Sequence, residues 1–193
     1  LPQFKHLVGA HNMQNIAFAI ALCFDFIGLS SNQIIEGIQS FVPLQHRIEF
    51  VKKIDGIDFI NDSKATNAAS TITALKCFQG RSIFLIAGGR QKEEGIEALF
   101  EQPSFKYVKE VLLIGEAAPV FAKKIIEYNK QNPKAQVKYV IAGSLERAVS
   151  LSFVSAKKNK NSVVLLSPLC ASLDQFKNFE ERGEIFKNLI NEL

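Results

Sequence analysis

From Asn12 to Leu29 the residues are apolar on nearly every side, with small Ala17, Ala19 and Ala21 among them, a pattern that predicts a buried helix. A second helix is expected over Ser31 to Phe41. It starts in the polar cluster Ser30-Ser31-Asn32 and stops before Pro43, because backbone preceding a proline is steered out of the helical region. Beyond Pro43 the periodicity changes, and short β-rich runs begin to alternate with helical ones. A domain boundary is therefore expected near Phe41 to Leu44, giving units 1–43 and 44–193.

The runs Ile48 to Ile54 and Ile57 to Ile60 read as a hairpin or a pair of adjacent strands, turned by Asp55-Gly56. Further strands are expected at Ser82 to Ala87, Glu110 to Ile114, Val137 to Ile141 and Val163 to Leu166, each a compact apolar run followed by Gly, Ser or Pro. Helices are expected between and after them at Asn67 to Phe78, Gly95 to Glu101, Ala117 to Asn129, Leu145 to Lys157 and Gln175 to Leu193. This alternation predicts an α/β unit: a mostly parallel sheet, built from right-handed crossovers and covered by helices on both faces.

Composition removes several function classes. With 47% hydrophobic and 22% charged residues the chain has an ordinary soluble composition, long enough at 193 residues to bury a core. Its net charge of +4 comes from lysines scattered among acids, with no basic block interleaved with aromatic residues, so no nucleic-acid groove is expected. Cys23, Cys77 and Cys170 are far apart and form no C-x-x-C pair, which suggests neither a disulfide framework nor a zinc site and fits a reducing cytoplasm. The longest apolar stretch, Ile16 to Leu29, is broken by Asp25 and too short to span a bilayer, and no signal-peptide pattern opens the chain. The sole methionine, Met13, lies inside an expected helix, so the natural start is expected upstream of Leu1.

In a parallel sheet, ligands bind where loops and helix amino-termini converge at the carboxyl ends of the strands. The unusual residues of this chain fall there: Asn61-Asp62-Ser63-Lys64-Ala65-Thr66-Asn67 after one strand, Gly88-Gly89-Arg90-Gln91-Lys92 after the next, and Ser167-Pro168-Leu169-Cys170-Ala171-Ser172 after the last. Each also has a purely structural reading. Thr66 or Asn67 can cap a helix, Asp62-Ser63 can be turn residues, and Gly88-Gly89 can exist only to let a strand turn. Ser172 followed by Gln175 matches a capping box. Lys64 and Lys92 are harder to explain in this way, because both fall in loops at the same expected rim, although a lone surface lysine is usually only solvated.

Four segments taken together carry a resemblance. Gly9-Ala10-His11-Asn12-Met13-Gln14-Asn15, Leu44-Gln45-His46-Arg47-Ile48-Glu49, the Asn61 to Asn67 loop and Ala87-Gly88-Gly89 stand in the order seen in the Mur ligases. The tail from Leu166 to Gly183, with Ser172-Leu173-Asp174-Gln175-Phe176-Lys177-Asn178-Phe179 at its centre, resembles the members of that family that add D-glutamate. Such ligases have a first domain for a UDP-sugar, a central ATPase and a last, Rossmann-like domain for the incoming amino acid. The resemblance aligns 1–43 with the helical end of the ATPase and 44–193 with the Rossmann-like amino-acid-binding domain. The family's phosphate loop, modified lysine and metal ligands are expected before Leu1, so this chain alone is expected to be inactive.

The resemblance implies an ATP-dependent amide-forming ligase that uses magnesium, with UDP-N-acetylmuramoyl-L-alanine, D-glutamate and ATP as substrates and the remaining domains of the same polypeptide as partners. It implies adenine contacts from Asn12 and Asn15, and contacts from Arg47 and Asp62 to ribose or phosphates once the last domain closes. Lys64, Thr66 and Lys92 are its candidates near the reacting end, Lys64 being catalytic, with Ser172, Leu173 and Phe179 near the side-chain carboxylate of D-glutamate. Arg90-Gln91 depart from the family's habit of an acidic residue or glycine shortly before the lysine at position 92. His11 and His46 are read as structural. Two alternatives stand beside this one: a folylpolyglutamate-synthase-like ligase domain, and a stand-alone binding module for an acidic small molecule.

Overall fold

The computed structural model describes residues 10–91 and 95–193, and the chain divides between Gln45 and His46 into two compact units. In the first, α1 (Ala10–Leu22) runs on through a π-helical turn, Cys23–Ile27, and is closed by Gly28 in the left-handed region at φ 74. Helix α2 (Ser31–Ser40) opens on a reciprocal capping box between Ser30 and Gln33. The expectation of a buried first helix is corrected: Phe18 is 73% and Phe26 84% exposed. A helix that is apolar all round needs neighbours all round, and within this unit the only other described helix is α2. Among the described residues no helix is long and apolar enough to cross a membrane.

The second unit is the expected α/β sheet. Strands β1 (Glu49–Ile54) and β2 (Ile57–Asn61) form an antiparallel hairpin whose turn residues Asp55 and Gly56 take φ of 51 and 81, the positive values that this dipeptide accommodates. Strands β3 (Ser82–Gly88), β4 (Val108–Ile114), β5 (Lys138–Gly143) and β6 (Ser162–Leu169) add to it in parallel, in the order β1-β2-β6-β3-β4-β5. Side chains alternate between two cores. Ile83, Leu85 and Ala87 of β3 meet α3 (Ala68–Cys77), α4 (Glu97–Phe100) and α5 (Ala118–Gln131), whereas Phe84 and Ile86 meet α6 (Leu145–Ala156) and α7 (Phe179–Asn191).

This connectivity locates the site. The chain leaves β2 and β3 toward the face that holds α3 and α4, but leaves β6, which lies between them, toward the face that holds α7. Loops diverging from neighbouring strands open a crevice at their carboxyl ends. The end of β6 is itself irregular: Pro168 lacks an N–H, Leu169 has φ 62, and the β3–β6 register slips between Ile86 and Gly88. Helix α7 begins at Phe179 and not at Gln175, because Asn178 is its cap, accepting the Glu181 N–H at 2.8 Å. The capping-box reading of Ser172 is thereby corrected; its carbonyl accepts the N–H groups of Gln175 and Phe176 in a turn outside any helix.

Candidate active site at the carboxyl rim of the sheet

The loop after β2 is held from beneath by Asp62. Its N–H donates to Leu166 O at 2.8 Å, while its carboxylate accepts the Ile48 N–H at 3.2 Å and the Ser167 hydroxyl at 2.8 Å. Ser167 Oγ also lies 3.0 Å from Thr71 Oγ1, so β6, α3 and the loop share one buried polar chain. Burial pushes the Asp62 carboxyl up from 3.8 to about 7, against the opposing pull of the Ser167 hydroxyl, the Ile48 N–H and the Arg47 charge. The folded state thus keeps a proton that the unfolded chain releases near pH 4. The resulting stability is complete below the unfolded value and is lost as pH rises toward 7. The thermal midpoint is expected to fall between pH 5 and 7.5, by at most about 1.4 kcal/mol of stability per pH unit. Asp62→Asn, which mimics the neutral acid, should flatten that slope; superimposable pH profiles would contradict the assignment.

The next residue is gripped by a buried arginine. Arg182, on the first turns of α7 and fully buried, donates from Nε to Ser63 Oγ at 3.0 Å, from Nη2 to Ser63 O at 2.7 Å and from Nη1 to Cys170 O at 3.2 Å. One guanidinium therefore ties the β2 loop to the β6 loop. Burial pulls its pKa down to about 10, which leaves it charged at neutral pH. Ser63 Oγ in turn donates to Phe179 O at 2.7 Å. Beside it, Asn61 Nδ2 lies 3.0 Å from His46 Nδ1, and a Cβ added to Gly183 would come within 2.2 Å of that ring nitrogen, so only glycine fits. His46 is 4% exposed and its carbonyl accepts the Lys64 N–H at 3.0 Å, in keeping with a structural role.

The remaining loops are tied in the same manner. Gly88 needs its φ of 127 and its missing side chain, since a Cβ there would sit 1.9 Å from Ile114 O. Arg90 and Ala171 exchange backbone hydrogen bonds at 2.8 and 3.0 Å, joining the β3 and β6 loops. The Arg90 guanidinium forks onto Glu116 at 2.9 and 3.1 Å, and Asp174 accepts the Glu116 N–H at 2.9 Å. The departure from family habit at position 90 thus has a local partner. Gln175 reaches Gly143 O at 2.8 Å, which brings in β5.

On this frame the expected site residues are distributed as follows. Lys64 is exposed, with Nζ 5.3 Å from the centre of the half-buried Phe179 ring, which joins the two loops from above. Thr66 is half-buried and is not the cap of α3; Asn67 is, accepting the Ser70 N–H at 2.9 Å. Ser172 is buried while Leu173 is 55% exposed, and neither the Ser172 hydroxyl nor the Leu173 N–H makes a hydrogen bond among the described residues. Arg47 is exposed, next to the bond that Ile48 gives to Asp62. Asp62 has both oxygens turned into the chain. Asn12 and Asn15 lie on α1 in the first unit, lining a cavity of about 350 Å³ with Gln33 and Ile34. Lys92 lies outside the described residues. Ser63 and Ser167 were read from sequence only as members of the rim loops, and Arg182 only as part of the family-like tail; none was given a role, because a lone Arg in a helix reads as surface.

The six-stranded, mostly parallel sheet makes this an α/β domain whose tethered polar loops lie at the rim where ligands bind in such folds, and its family is shown directly. The family described as "Mur ligase, glutamate ligase domain" matches residues 46–170, and the chain belongs to it. It is 44% identical over 189 residues to a UDP-N-acetylmuramoylalanine–D-glutamate ligase of Rhodospirillum rubrum, covering 97% of this chain and 37% of that protein. A relative of the same name from Rickettsia felis is 42% identical over 191 residues, 98% of this chain and 40% of that protein. The chain thus spans about two fifths of the length of the curated relatives it matches. Among solved structures, the UDP-N-acetylmuramate-alanine ligase of Thermotoga maritima superposes with a TM-score of 0.62 at 16% identity, over 96% of this chain and 39% of that one. A Mycobacterium tuberculosis folylpolyglutamate synthase complexed with ADP gives 0.61 at 13% identity, over 85% and 39%. These two share the fold.

Proposed function

We propose that this chain is the amino-acid-binding domain, with the adjoining helical end of the ATP-binding domain, of a cytoplasmic ligase that joins D-glutamate to UDP-N-acetylmuramoyl-L-alanine. The observation that carries this reading is the pair of loops bound together by Arg182: one bears Lys64 and Thr66, the other Ser172 and Leu173 with Phe179 behind them. A dicarboxylic amino acid needs cations and fixed donors at both ends, and two rigidly spaced polar loops supply such a frame. The sequence relatives at 42–44% identity favour this reading over the folylpolyglutamate alternative, whose match is 13%.

In the proposed reaction the γ-phosphoryl group of ATP passes to the alanyl carboxylate, giving an acyl phosphate and ADP. The amine of D-glutamate then attacks the acyl carbon, loses a proton and expels inorganic phosphate. Lys64 and Lys92 offset charge at the reacting end, and the Ser172 hydroxyl and the Leu173 N–H receive the side-chain carboxylate. Asn12 and Asn15 meet adenine, and Arg47 meets phosphate. Asp62 would reach ribose only on a rearrangement of its loop; as it stands it fixes the backbone that carries Lys64. Magnesium accompanies ATP in such chemistry. Its ligands are assigned to other parts of the enzyme, as the resemblance to the family implies.

The test is phosphate release by the enzyme that contains this chain together with its phosphate loop. Release is expected to require D-glutamate. If L-lysine or meso-diaminopimelate serves equally well, the substrate assignment is wrong; if the chain binds D-glutamate but no release occurs, the binding-module alternative takes its place.

A further inference from the structure

At the end of the sheet opposite the rim, the amino ends of β4 and β5 border a cavity of about 570 Å³, within the size range of small-molecule sites. Lys106, Lys109, Lys134, Lys138 and Lys158 line it, and Glu110 is its one acidic lining residue. Five cations and one anion amount to +4, the net charge of the whole chain, so the excess charge is gathered here and the rest is balanced. The lysines come from separate stretches: the turn before β4, β4 itself, the α5–β5 loop, β5 and the segment after α6. The floor beneath them is apolar, with Phe105, Val108 and Val137 no more than 5% exposed.

Among the described residues none of these five ammonium groups lies within ion-pair distance of a carboxylate, whereas Lys53, Arg81, Arg90, Lys157 and Lys187 all do. Glu110 and Lys138 are opposed in the β4–β5 register, yet form no bridge. Lysines that follow helix carboxyl ends commonly complement the helix dipole, which accounts for Lys134 after α5 and Lys158 after α6. It does not account for Lys106, Lys109 or Lys138. Like charges gathered around a concave surface raise the local concentration of anions. Lysine binds phosphate as a compact point charge, and five such charges spread around one concavity match a ligand whose negative charge is itself spread over several phosphate groups. A single-stranded nucleic acid would need free ring faces for stacking. Here Phe84 and Phe105 are buried and Tyr128 is packed on Phe100 and Phe105.

We propose that this cavity is a second anion site, remote from the rim, for a compact molecule carrying two or more phosphate groups. The inference does not depend on the ligase reading. It is tested by titrating the 193-residue chain with inorganic tripolyphosphate in a calorimeter at low salt. One molecule per chain is expected to bind, with affinity unchanged in Lys64→Ala and in Arg47→Ala. The combined Lys109→Gln, Lys138→Gln, Lys158→Gln variant should lose about tenfold or more, since each lost phosphate contact removes a salt-dependent increment. A control that neutralises Lys76, Lys123 and Lys177, at exposed positions elsewhere, should lose far less. Circular dichroism checks folding, and Lys158→Gln alone gives a smaller loss should the triple variant fold poorly. Loss of binding in Lys64→Ala with none in the triple variant moves the anion to the rim and overturns the proposal. Equal losses in the triple variant and the control reduce it to a net-charge effect, and also overturn it. So does binding to phosphatidylglycerol vesicles or duplex DNA that tripolyphosphate fails to displace.

Discussion

Arg182→Met is expected to lower the stability of the α/β unit by about 3 kcal/mol, because three acceptors lose their donor at once and each unsatisfied buried group costs about 1–3 kcal/mol. For a chain of this size that corresponds to a fall in thermal midpoint of roughly 6–12 °C. Methionine has similar length and keeps the apolar packing, so the loss isolates the bonds to Ser63 O, Ser63 Oγ and Cys170 O. Arg182→Lys should recover only part of it, since an ammonium cannot reach acceptors on both loops with the geometry of a planar fork. In the enzyme that carries this chain, the same substitution should raise the Michaelis constant for D-glutamate more than it lowers turnover, because the two loops lose their common tether. Calorimetric melting of the three proteins decides the matter. A midpoint for Arg182→Met within about a degree of the parent would mean that the guanidinium does not hold the loops.

That arginine illustrates which part of the structure was legible in the sequence. Elements governed by local pattern could be read directly: the Asp55-Gly56 turn sets the hairpin, and compact apolar runs give β3, β4, β5 and β6 to within a few residues. The three polar loops were recognisable because parallel topology puts strand carboxyl ends on one rim, and topology followed from strand-helix alternation. What holds those loops in place was not legible. The Asp62–Ser167–Thr71 chain, the Arg182 fork and the Arg90–Ala171 bridge join residues tens of positions apart, and no local period encodes them. Competing local signals also misled. Ser172 and Gln175 imitate a capping box, yet Asn178 and Glu181 make the bonds, with Glu181 also accepting the Lys177 N–H at 2.6 Å. An all-apolar helix signals burial only where neighbours cover every side, and among the described residues of its unit α1 has only α2 beside it, which leaves Phe18 and Phe26 exposed.

The proposed chemistry places two site residues in different roles, and their variants should separate. Lys64 is anchored through its N–H to His46 O and reaches over the Phe179 ring at 5.3 Å, so its ammonium is carried on backbone that Asp62 and Arg182 immobilise. A charge held in advance where charge develops acts more strongly on the transition state than on the ground state, and loss of one such donor costs about a hundredfold or more in turnover. Lys64→Ala is therefore expected to lower D-glutamate-dependent phosphate release by about a hundredfold with little change in melting, since the side chain is exposed. Ser172 differs: it is 3% exposed, and its hydroxyl is uncommitted among the described residues while its carbonyl serves the turn at Gln175 and Phe176. A hydroxyl that meets the side-chain carboxylate binds it alike before and during reaction. Ser172→Ala should then raise the Michaelis constant for D-glutamate by about tenfold with turnover nearly unchanged, the signature of uniform binding. Steady-state phosphate release measured over a range of D-glutamate concentrations distinguishes the two patterns. Near-normal turnover in Lys64→Ala would remove it from the reacting end, and a turnover loss without a Michaelis shift in Ser172→Ala would remove that hydroxyl from the carboxylate.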